Sequence, residues 1–591
     1  MKKIVILIIL MLQTFMFAQD PILAFNYVES GEYEKAVTLL EEEYKINKQT
    51  IIFDKLLECY QQLENYEKAL QLISDRRNFQ KSPHLTIEEG YIYQLQNNTA
   101  EAEKKYNAVL AYIDENPTYA YTIGSNFEKK SLLEWAMTAY TKGQEINPEL
   151  NFDFQIALLN GQMGNLPEMV NKLLDYAYAK PERSITVKNY FTSFLVNDAT
   201  ESFSNDLRKS LILRVQKTPD VFWNQFLSWY YVQQKDYGKA FVQEKAVFKR
   251  NPESLTDIIS LGYMAIADEQ YDAAKSVFQF VIENTTDKNT QFSADYFLIK
   301  MEIDESTPKD YATIKTNLET LLDKYNKNET SVDLYILAAH FNCFNLKNPA
   351  KATSLLENLL ETSLSARQKA KIKLELADIL LYNEKFNQAI LYYAQVEDAM
   401  KNDEMAHEAS MKMAKANYFK TDFEWALKQV KVLKQSASFL IANDALELFL
   451  LINDNSAEDS LQVALTAFSK ADLKLYQNKT DNALQDFLTV LTTFKGDKIE
   501  EVALMRIGTI YEKQKEYSQA ILYYEKLLNE HSESIYQDDA LFKSAELYRK
   551  FLDNPEKAKT LYEKIIFNHQ DSLYFTEARK QYRILRGDTT I

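Results

Sequence analysis

Apolar and polar positions along the chain repeat with a period of about 34 residues, and each period holds two stretches of helical spacing. The clearest landmark is an alanine that follows an aromatic or turn residue and a polar pair. The first four landmarks, Ala36, Ala69, Ala102 and Ala136, are separated by 33, 33 and 34 residues. The same landmark recurs at Ala240, Ala274, Ala389, Ala426, Ala520 and Ala558. A fixed period of this length predicts an architecture of stacked repeats.

Two further positions keep the phase of the landmark alanine. About twelve residues before it lies a small residue: Gly90, Gly124, Ala157, Gly262, Ala377, Ala414, Ala471 or Gly508. Four residues after it lies a large apolar one: Leu40, Tyr106, Tyr140, Phe278, Tyr393, Phe487, Tyr524 or Tyr562. Small residues let two antiparallel helices approach closely while the large residue fills the space beside them. Prolines at Pro83, Pro117, Pro148, Pro181, Pro219 and Pro252 end the second helices.

The small residue, the landmark alanine and the trailing proline occupy the places that they have in the tetratricopeptide repeat family, which the chain resembles over nearly its whole length. The resemblance implies an all-α fold, a right-handed superhelical solenoid of about 15–16 antiparallel helix pairs. Three stretches, Ile185–Lys217, Ser293–Asn326 and Phe439–Ser469, depart from the signature and are predicted to be degenerate repeats.

The repeats and their interruptions predict five segments. These are a signal peptide at 1–19, an N-terminal repeat array at 20–300, degenerate helical repeats at 301–350, a C-terminal array at 351–574, and a capping helix with a tail at 575–591. The last helix is expected over Phe575–Arg586, with a polar outer face. The Ser-Tyr linkers near His531 and His569 and the final Ala-Arg helix resemble the envelope tetratricopeptide proteins of Gram-negative bacteria, such as those of outer-membrane assembly and envelope constriction.

The N-terminus has the features of a secretory signal peptide. Lys2 and Lys3 precede an unbroken apolar run over Ile4–Leu12, and cleavage is expected near Ala18 or Gln19. An uncleaved anchor is the alternative, but the stretch is shorter than the roughly 20 residues that span a bilayer. No cysteine lies near the cut, so we expect a periplasmic protein that is not a lipoprotein and has no integral membrane span in the mature chain.

The net charge bears on which molecules the protein could bind, and the positions of the cysteines bear on whether a disulfide forms. A net charge of -17 repels phosphate backbones, so nucleic acid is not an expected partner. The two cysteines, Cys59 and Cys343, are far apart in a repeat array and are expected to be buried thiols rather than a disulfide.

The sequence contains no motif for catalysis, a cofactor or a metal. The five histidines make no H-E-x-x-H pair, and no phosphate-binding glycine loop occurs. Carboxylates such as Glu41 lie beside lysines at helical spacing, which is typical of a solvated helix face. We therefore expect no enzyme activity and no cofactor.

Aromatic residues of the first helices are the candidate binding surface. In this family the first helices line the concave face, and the repeat phase places eight rings there: Tyr91, Tyr121, Phe154, Phe222, Trp229, Tyr263, Tyr382 and Tyr418. Such a row suits a peptide or helix of another protein, although the same rings could pack neighbouring helices instead. The family's basic clamp for C-terminal carboxylates is absent, because Tyr121/Ser125 and Gln225/Trp229 stand at its positions.

The predicted function is an exported scaffold that mediates protein–protein interactions in the bacterial cell envelope, in an envelope complex. Two alternatives stay open at this point. One is a binding module for glycan or peptidoglycan, because aromatic rings also stack on sugars. The other is a structural subunit of a secretion or motility apparatus.

Overall fold

A computed structural model describes residues 20–196, 198, 201–252, 255–434, 439–456 and 462–588. Over these residues the chain forms 32 α-helices and no β-strand. The predicted signal peptide at 1–19 lies outside the described residues, as does the end of the tail from 589 onward.

The first 16 helices are α1 Asp20–Glu29, α2 Tyr33–Ile46, α3 Thr50–Gln62, α4 Tyr66–Arg77, α5 Pro83–Leu95, α6 Thr99–Glu115, α7 Ala120–Lys129, α8 Leu133–Ile146, α9 Asp153–Gln162, α10 Leu166–Ala179, α11 Ser184–Val196, α12 Ser202–Lys217, α13 Val221–Gln233, α14 Tyr237–Arg250, α15 Thr256–Ala267 and α16 Tyr271–Asn284. The others are α17 Lys288–Asp304, α18 Tyr311–Tyr325, α19 Val332–His340, α20 Pro349–Leu360, α21 Ala366–Tyr382, α22 Phe386–Ala399, α23 Glu404–Phe419, α24 Phe423–Leu433, α25 Phe439–Asp454, α26 Val463–Tyr476, α27 Thr480–Thr493, α28 Ile499–Lys513, α29 Tyr517–Glu530, α30 Gln537–Lys550, α31 Pro555–Asn568 and α32 Phe575–Arg586. Short 3-10 turns lie at Pro117–Tyr119 and Pro181–Arg183, and a π-helical turn at Phe341–Asn345 follows α19.

The helices confirm the predicted repeat. Helices α1–α24 make twelve successive pairs and α26–α31 three more, while α25 has no partner in the pairing and α32 stands at the end. Each landmark alanine lies in the first turn of a second helix, and all ten are at most 2% exposed. The degenerate stretch Phe439–Ser469 therefore contains an additional helix rather than a weakened pair.

Close packing within a pair depends on the predicted small residue and the predicted ring. A Cβ atom placed on Gly508 would lie 2.4 Å from Tyr524 Cε1, and one on Gly124 would lie 2.6 Å from Tyr140 Cε1. Both rings are almost completely buried. The first helix therefore approaches the second so closely that the ring lies directly on its backbone.

The buried tyrosines donate hydrogen bonds that the sequence did not predict. Tyr140 Oη donates to Glu128 Oε1 at 2.5 Å, and Tyr524 Oη donates to Glu512 Oε2 at 2.7 Å. Glu41, which was expected on a solvated face, accepts from Tyr60 Oη at 2.6 Å. The Glu41 side chain is 32% exposed and also pairs with Lys68 at 2.7 Å, so it is partly solvated and serves as an acceptor between helices as well.

The chain divides into two compact units between Trp223 and Asn224, within α13. The first unit holds Cys59 and the second holds Cys343, and both thiols are free and buried, as expected. Burial raises the pKa of Cys59 to about 11. None of the helices in the described ranges is long and apolar enough to cross a bilayer.

Candidate functional site

Inward-facing side chains of the second unit enclose a cavity of about 600 Å³. The lining comes from α19 and its π-helical turn, from α21, α22, α23, α25, α26 and α28, and from the residues after α26. Its members are His340, Phe344, Asp378, Leu381, Tyr393, Lys412, Lys415, Tyr418, Phe419, Asp444, Glu447, Leu448, Leu451, Asp472, Leu475, Tyr476, Asn478 and Arg506. The volume is within the range of pockets that hold a ligand or a few residues of a peptide.

The end of α26 closes the cavity by bonding to residues far away in the sequence. Gln477 Nε2 donates to the Tyr382 carbonyl at 2.8 Å, and Gln477 is 2% exposed. Asn478 Nδ2 donates at 3.3 Å to the carbonyl of Phe344, within the π-helical turn. A π-helical turn shifts the backbone register and is frequent at functional sites. Contacts over about a hundred residues are more than a simple stack of neighbouring repeats requires.

One buried ion pair lies on the wall formed by α21 and α23. Lys412 Nζ is 2.6 Å from Asp378 Oδ2, and Tyr393 Oη donates to Asp378 Oδ1 at 2.5 Å. Burial would lower the pKa of Lys412, but Asp378 and Glu408 outweigh burial and hold it above its ordinary value. Lys412 therefore keeps its charge inside the cavity.

A second ion pair joins α26 to α28. Arg506 Nε lies 3.2 Å from Asp472 Oδ1, and Tyr418 Oη donates to Asp472 Oδ2 at 3.1 Å. Burial raises the pKa of Asp472, while Arg506 opposes that rise. Removing a charge from water costs several kcal/mol, and pairing often offsets this cost only in part, so paired charges stabilise the fold less than apolar residues of similar volume would.

The unpaired helix α25 supplies an acidic wall. Asp444 and Glu447 lie one turn apart on it and therefore share a face. Asp444 Oδ2 is 3.4 Å from Lys415 Nζ, and Glu447 Oε1 is 3.9 Å from an Arg506 guanidinium nitrogen. The two side chains are 56% and 62% exposed, so both carboxylates are accessible from solvent.

His340, the last residue of α19, also lines the cavity. Its Nδ1 lies 2.9 Å from Glu375 Oε1, and its ring stacks on Phe344 with centroids 4.4 Å apart. Burial lowers the pKa of His340, but the hydrogen bond and the charge of Glu375 together with the charge of Asp378 outweigh this effect and leave the pKa above its ordinary value.

The four predicted aromatic residues of the first unit do not line this cavity. Tyr121 is 52% exposed, and its ring stacks on Phe152 with centroids 6.4 Å apart. Tyr91, Phe154 and Phe222 are half-buried. Lys130 Nζ lies 4.9 Å from the ring centroid of Tyr91. Their role in binding stays a prediction.

The four predicted residues of the second unit have different surroundings. Tyr263 is 42% exposed, whereas Trp229 is half-buried against Phe226, with ring centroids 5.4 Å apart. Tyr382 and Tyr418 are 8% and 2% exposed, so the expectation that they project outward needs correction. The end of α26 covers Tyr382, and α26 also packs on Tyr418, whose carbonyl accepts a hydrogen bond from Ser469 Oγ at 2.8 Å. Of these four residues, Tyr418 lines the cavity.

The charged lining was missed, although the sequence contains a signal for it. Asp378, Lys415 and Asp472 directly follow the small residues Ala377, Ala414 and Ala471 of their first helices. The aromatic residues Tyr91 and Tyr263 occupy the same place after Gly90 and Gly262. The position after the small residue therefore faces the same way in each of these repeats, and it holds an aromatic ring in some and a charged side chain in others. The prediction covered only the aromatic rings.

Outside the cavity, one group among the described residues has the geometry of a cation site. Glu500, Glu530 and His531 bring three ligand atoms within 4.8 Å of one another. Glu500 Oε2 already accepts from the backbone N–H of Gly496 at 2.8 Å. This bond ties the carboxylate to the turn that begins α28.

Comparison with protein families identifies the repeat type. Residues 502–534 and 539–572, which cover most of α28–α29 and α30–α31, match the model of the family described as Tetratricopeptide repeat. These two helix pairs thus match tetratricopeptide repeats, and the other pairs share their two-helix architecture. No protein of curated function matches the sequence.

Several solved structures are similar over long stretches. The yeast Tom70 structure has 14% identity, 84% coverage of this chain, 99% coverage of its own and a TM-score of 0.29. The structure of Naa15/Naa10 bound to HypK-THB has 14% identity, coverages of 97% and 96%, and a TM-score of 0.29. A tetratricopeptide repeat protein from Parabacteroides merdae has 14% identity, coverages of 50% and 97%, and a TM-score of 0.23. Superpositions this loose do not bear on function.

Proposed function

We propose that this chain is an exported, non-enzymatic scaffold of the bacterial cell envelope that binds a segment of a partner protein in the cavity of its second unit. The observation that carries the proposal is the paired-charge lining around Asp378 and Asp472. Apolar residues would fill the same space at lower cost, so charges retained there favour recognition over packing.

The repeat architecture supports a protein as the ligand. First helices of successive repeats present their inner faces to the cavity, and such faces accept extended peptides or helices. Phe419 and Tyr476, which line the cavity and are half-buried, offer ring surface beside the paired charges. This combination of aromatic anchors and desolvated polar groups is typical of the centre of protein interfaces.

Photo-crosslinking in cells tests the binding site. A photoreactive p-benzoylphenylalanine would replace Lys415, which lines the cavity and is 46% exposed. The matched control replaces Val432, which is 74% exposed on α24 and does not line the cavity. We expect position 415 to crosslink one defined protein that position 432 does not. Equal crosslinks at both positions, or attachment to polysaccharide in place of protein, would contradict the proposal.

Export rests on the N-terminal sequence and has its own test. We expect the mature protein in a periplasmic extract to lack the residues through Ala18 or Gln19, as measured by intact mass. A chain that starts at Asp20 should stay in the cytoplasm. Full-length protein that retains Met1 and fractionates with the cytoplasm would refute export and leave the binding proposal intact.

A further inference from the structure

The charges around the cavity are not balanced. Four carboxylates line it, at Asp378, Asp444, Glu447 and Asp472, against the cations of Lys412, Lys415 and Arg506 and the titratable ring of His340. Two more carboxylates lie directly behind the lining, because Glu375 contacts His340 and Glu408 contacts Lys412. The surroundings are therefore acidic, and a positively charged guest is favoured over a negative one.

The carboxylates differ in how closely cations and hydrogen-bond donors of the protein already contact their oxygens. Asp378 accepts from Lys412 and Tyr393 at 2.6 and 2.5 Å, so both of its oxygens are engaged at short distance. Asp444 and Glu447 contact cations only at 3.4 and 3.9 Å and remain more than half exposed. These two carboxylates of α25 are therefore the acceptors that a ligand would meet first.

The aromatic wall of the cavity, formed by Tyr418 and Phe419 of α23 and Tyr476 of α26, suits the stem and head of a long basic side chain. Tyr418, Phe419 and Tyr476 line the cavity together with Leu448 and Leu451. Lysine and arginine bury their methylene stems on apolar surface while the charged head keeps polar partners. Aromatic faces add attraction for a cation that is partly desolvated.

Helix α25, which carries Asp444 and Glu447, lies in the stretch Phe439–Ser469 that departs from the repeat pattern. Helix α25 is the additional helix between the pairs α23–α24 and α26–α27. It contributes Leu448 and Leu451 to the cavity as well as its two acids. Ala445 and Ile452 of this helix join the buried core, while Asp444 and Glu447 stay exposed, so its acidic face adds a recognition element to the array.

Resting on the proposed function, we propose that the partner segment held in the cavity is basic, and that a lysine or arginine side chain enters between the α25 carboxylates and the aromatic wall. The occupant is a protein segment recognised by its side-chain charge, not by its chain terminus. End-capped peptides bind equally well under this proposal, because capping removes only the terminal charges.

Fluorescence anisotropy with the full chain tests the charge preference. The probes are end-capped heptapeptides with a neutral dye and arginine, glutamine or glutamate at three positions. The cavity variant is Asp444→Asn with Glu447→Gln. The control is Asp398→Asn with Glu424→Gln, which removes two acids of the same unit that are 77% and 81% exposed and pair with Lys401 and Lys428.

We expect the arginine peptide to bind more tightly than the others, the cavity variant to weaken it at least about tenfold, and the control to change it less than about twofold. Equal weakening in both variants would overturn the proposal in favour of diffuse surface charge. Preference for glutamate or glutamine would overturn the basic segment while leaving peptide binding in place. If none of the peptides binds, the proposal of a basic segment is overturned as well. The crosslink at position 415 then tests the proposed function separately.

Discussion

Replacing Gly508 by alanine adds one methyl group at the closest approach of α28 and α29. The new Cβ atom would lie 2.4, 2.7 and 2.9 Å from the Tyr524 atoms Cε1, Cδ1 and Cζ. Carbon atoms attract at about 3.5–4.0 Å and repel strongly at these distances. Tyr524 is 0% exposed and its hydroxyl donates to Glu512 at 2.7 Å, so the ring cannot move aside without loss of that bond.

Two opposing terms set the expected magnitude. Overpacking a core typically costs about 1–3 kcal/mol, and a disturbed tyrosine hydrogen bond to a carboxylate adds to this cost. Alanine gains at most about 1 kcal/mol over glycine in a helix interior. We therefore expect Gly508→Ala to destabilise this helix pair by about 2 kcal/mol.

Hydrogen exchange of the full chain measures the effect locally, because repeat arrays open in parts. Amides of 499–530 should exchange about 30-fold faster in the variant, which corresponds to about 2 kcal/mol. The matched control is Gly238→Ala in α14, where no heavy atom lies within 4 Å of an added Cβ atom. That change should leave exchange unaltered or slow it. Slower exchange in 499–530 for Gly508→Ala would refute the argument that close approach requires glycine there.

Three further predictions concern the closure of the cavity, the pH response and the thiols. Gln477→Ala removes the donor to the buried Tyr382 carbonyl and should lower the free energy of unfolding by about 1–3 kcal/mol in urea; no change would show that the closure contributes nothing. Burial would raise the pKa of Glu546, but hydrogen bonds from neighbouring side chains, that of Arg549 foremost, lower it to about 2 from 4.5. The stabilisation is therefore complete above about pH 4.5 and lost as the pH falls toward 2, and Glu546→Gln should flatten the acid limb of a thermal-unfolding profile; an unchanged limb would contradict this. Burial raises the pKa of the Cys343 thiol to about 12, so a disulfide reagent should label it at pH 8 only after unfolding, and rapid labelling of the native protein would contradict its burial.

The repeat was predictable because its signals are local. The landmark alanine and the small residue act within one helix pair, so their spacing is written in about 34 consecutive residues. Residues such as Gly124 and Tyr140 lie in adjoining helices of one pair, and the structure confirms their contact. The final helix, Phe575–Arg586, has the predicted bounds for the same reason.

The candidate site was not predictable in the same way, because its residues are brought together across several repeats. Arg506 and Asp472 belong to different pairs, and Tyr476 donates a hydrogen bond to the carbonyl of Asp378 across 98 residues. The sequence marked their inward register, but no local rule says which inward positions face one another. Four of the eight predicted aromatic residues lie in each unit, and two of the eight, Tyr382 and Tyr418, are buried.

The sequence by itself determined the helix pairs, their number and the positions that face inward, because nearest-neighbour packing governs each of these features. It also carries the basis for the prediction of export, which concerns residues outside the described part. The tertiary structure alone decided that α25 is an additional helix and that the end of α26 bonds to α21 and to the π-helical turn after α19. Those contacts enclose a cavity lined with paired charges. They depend on how successive repeats curve, which is the accumulated effect of many small packing angles and is not encoded at any one position.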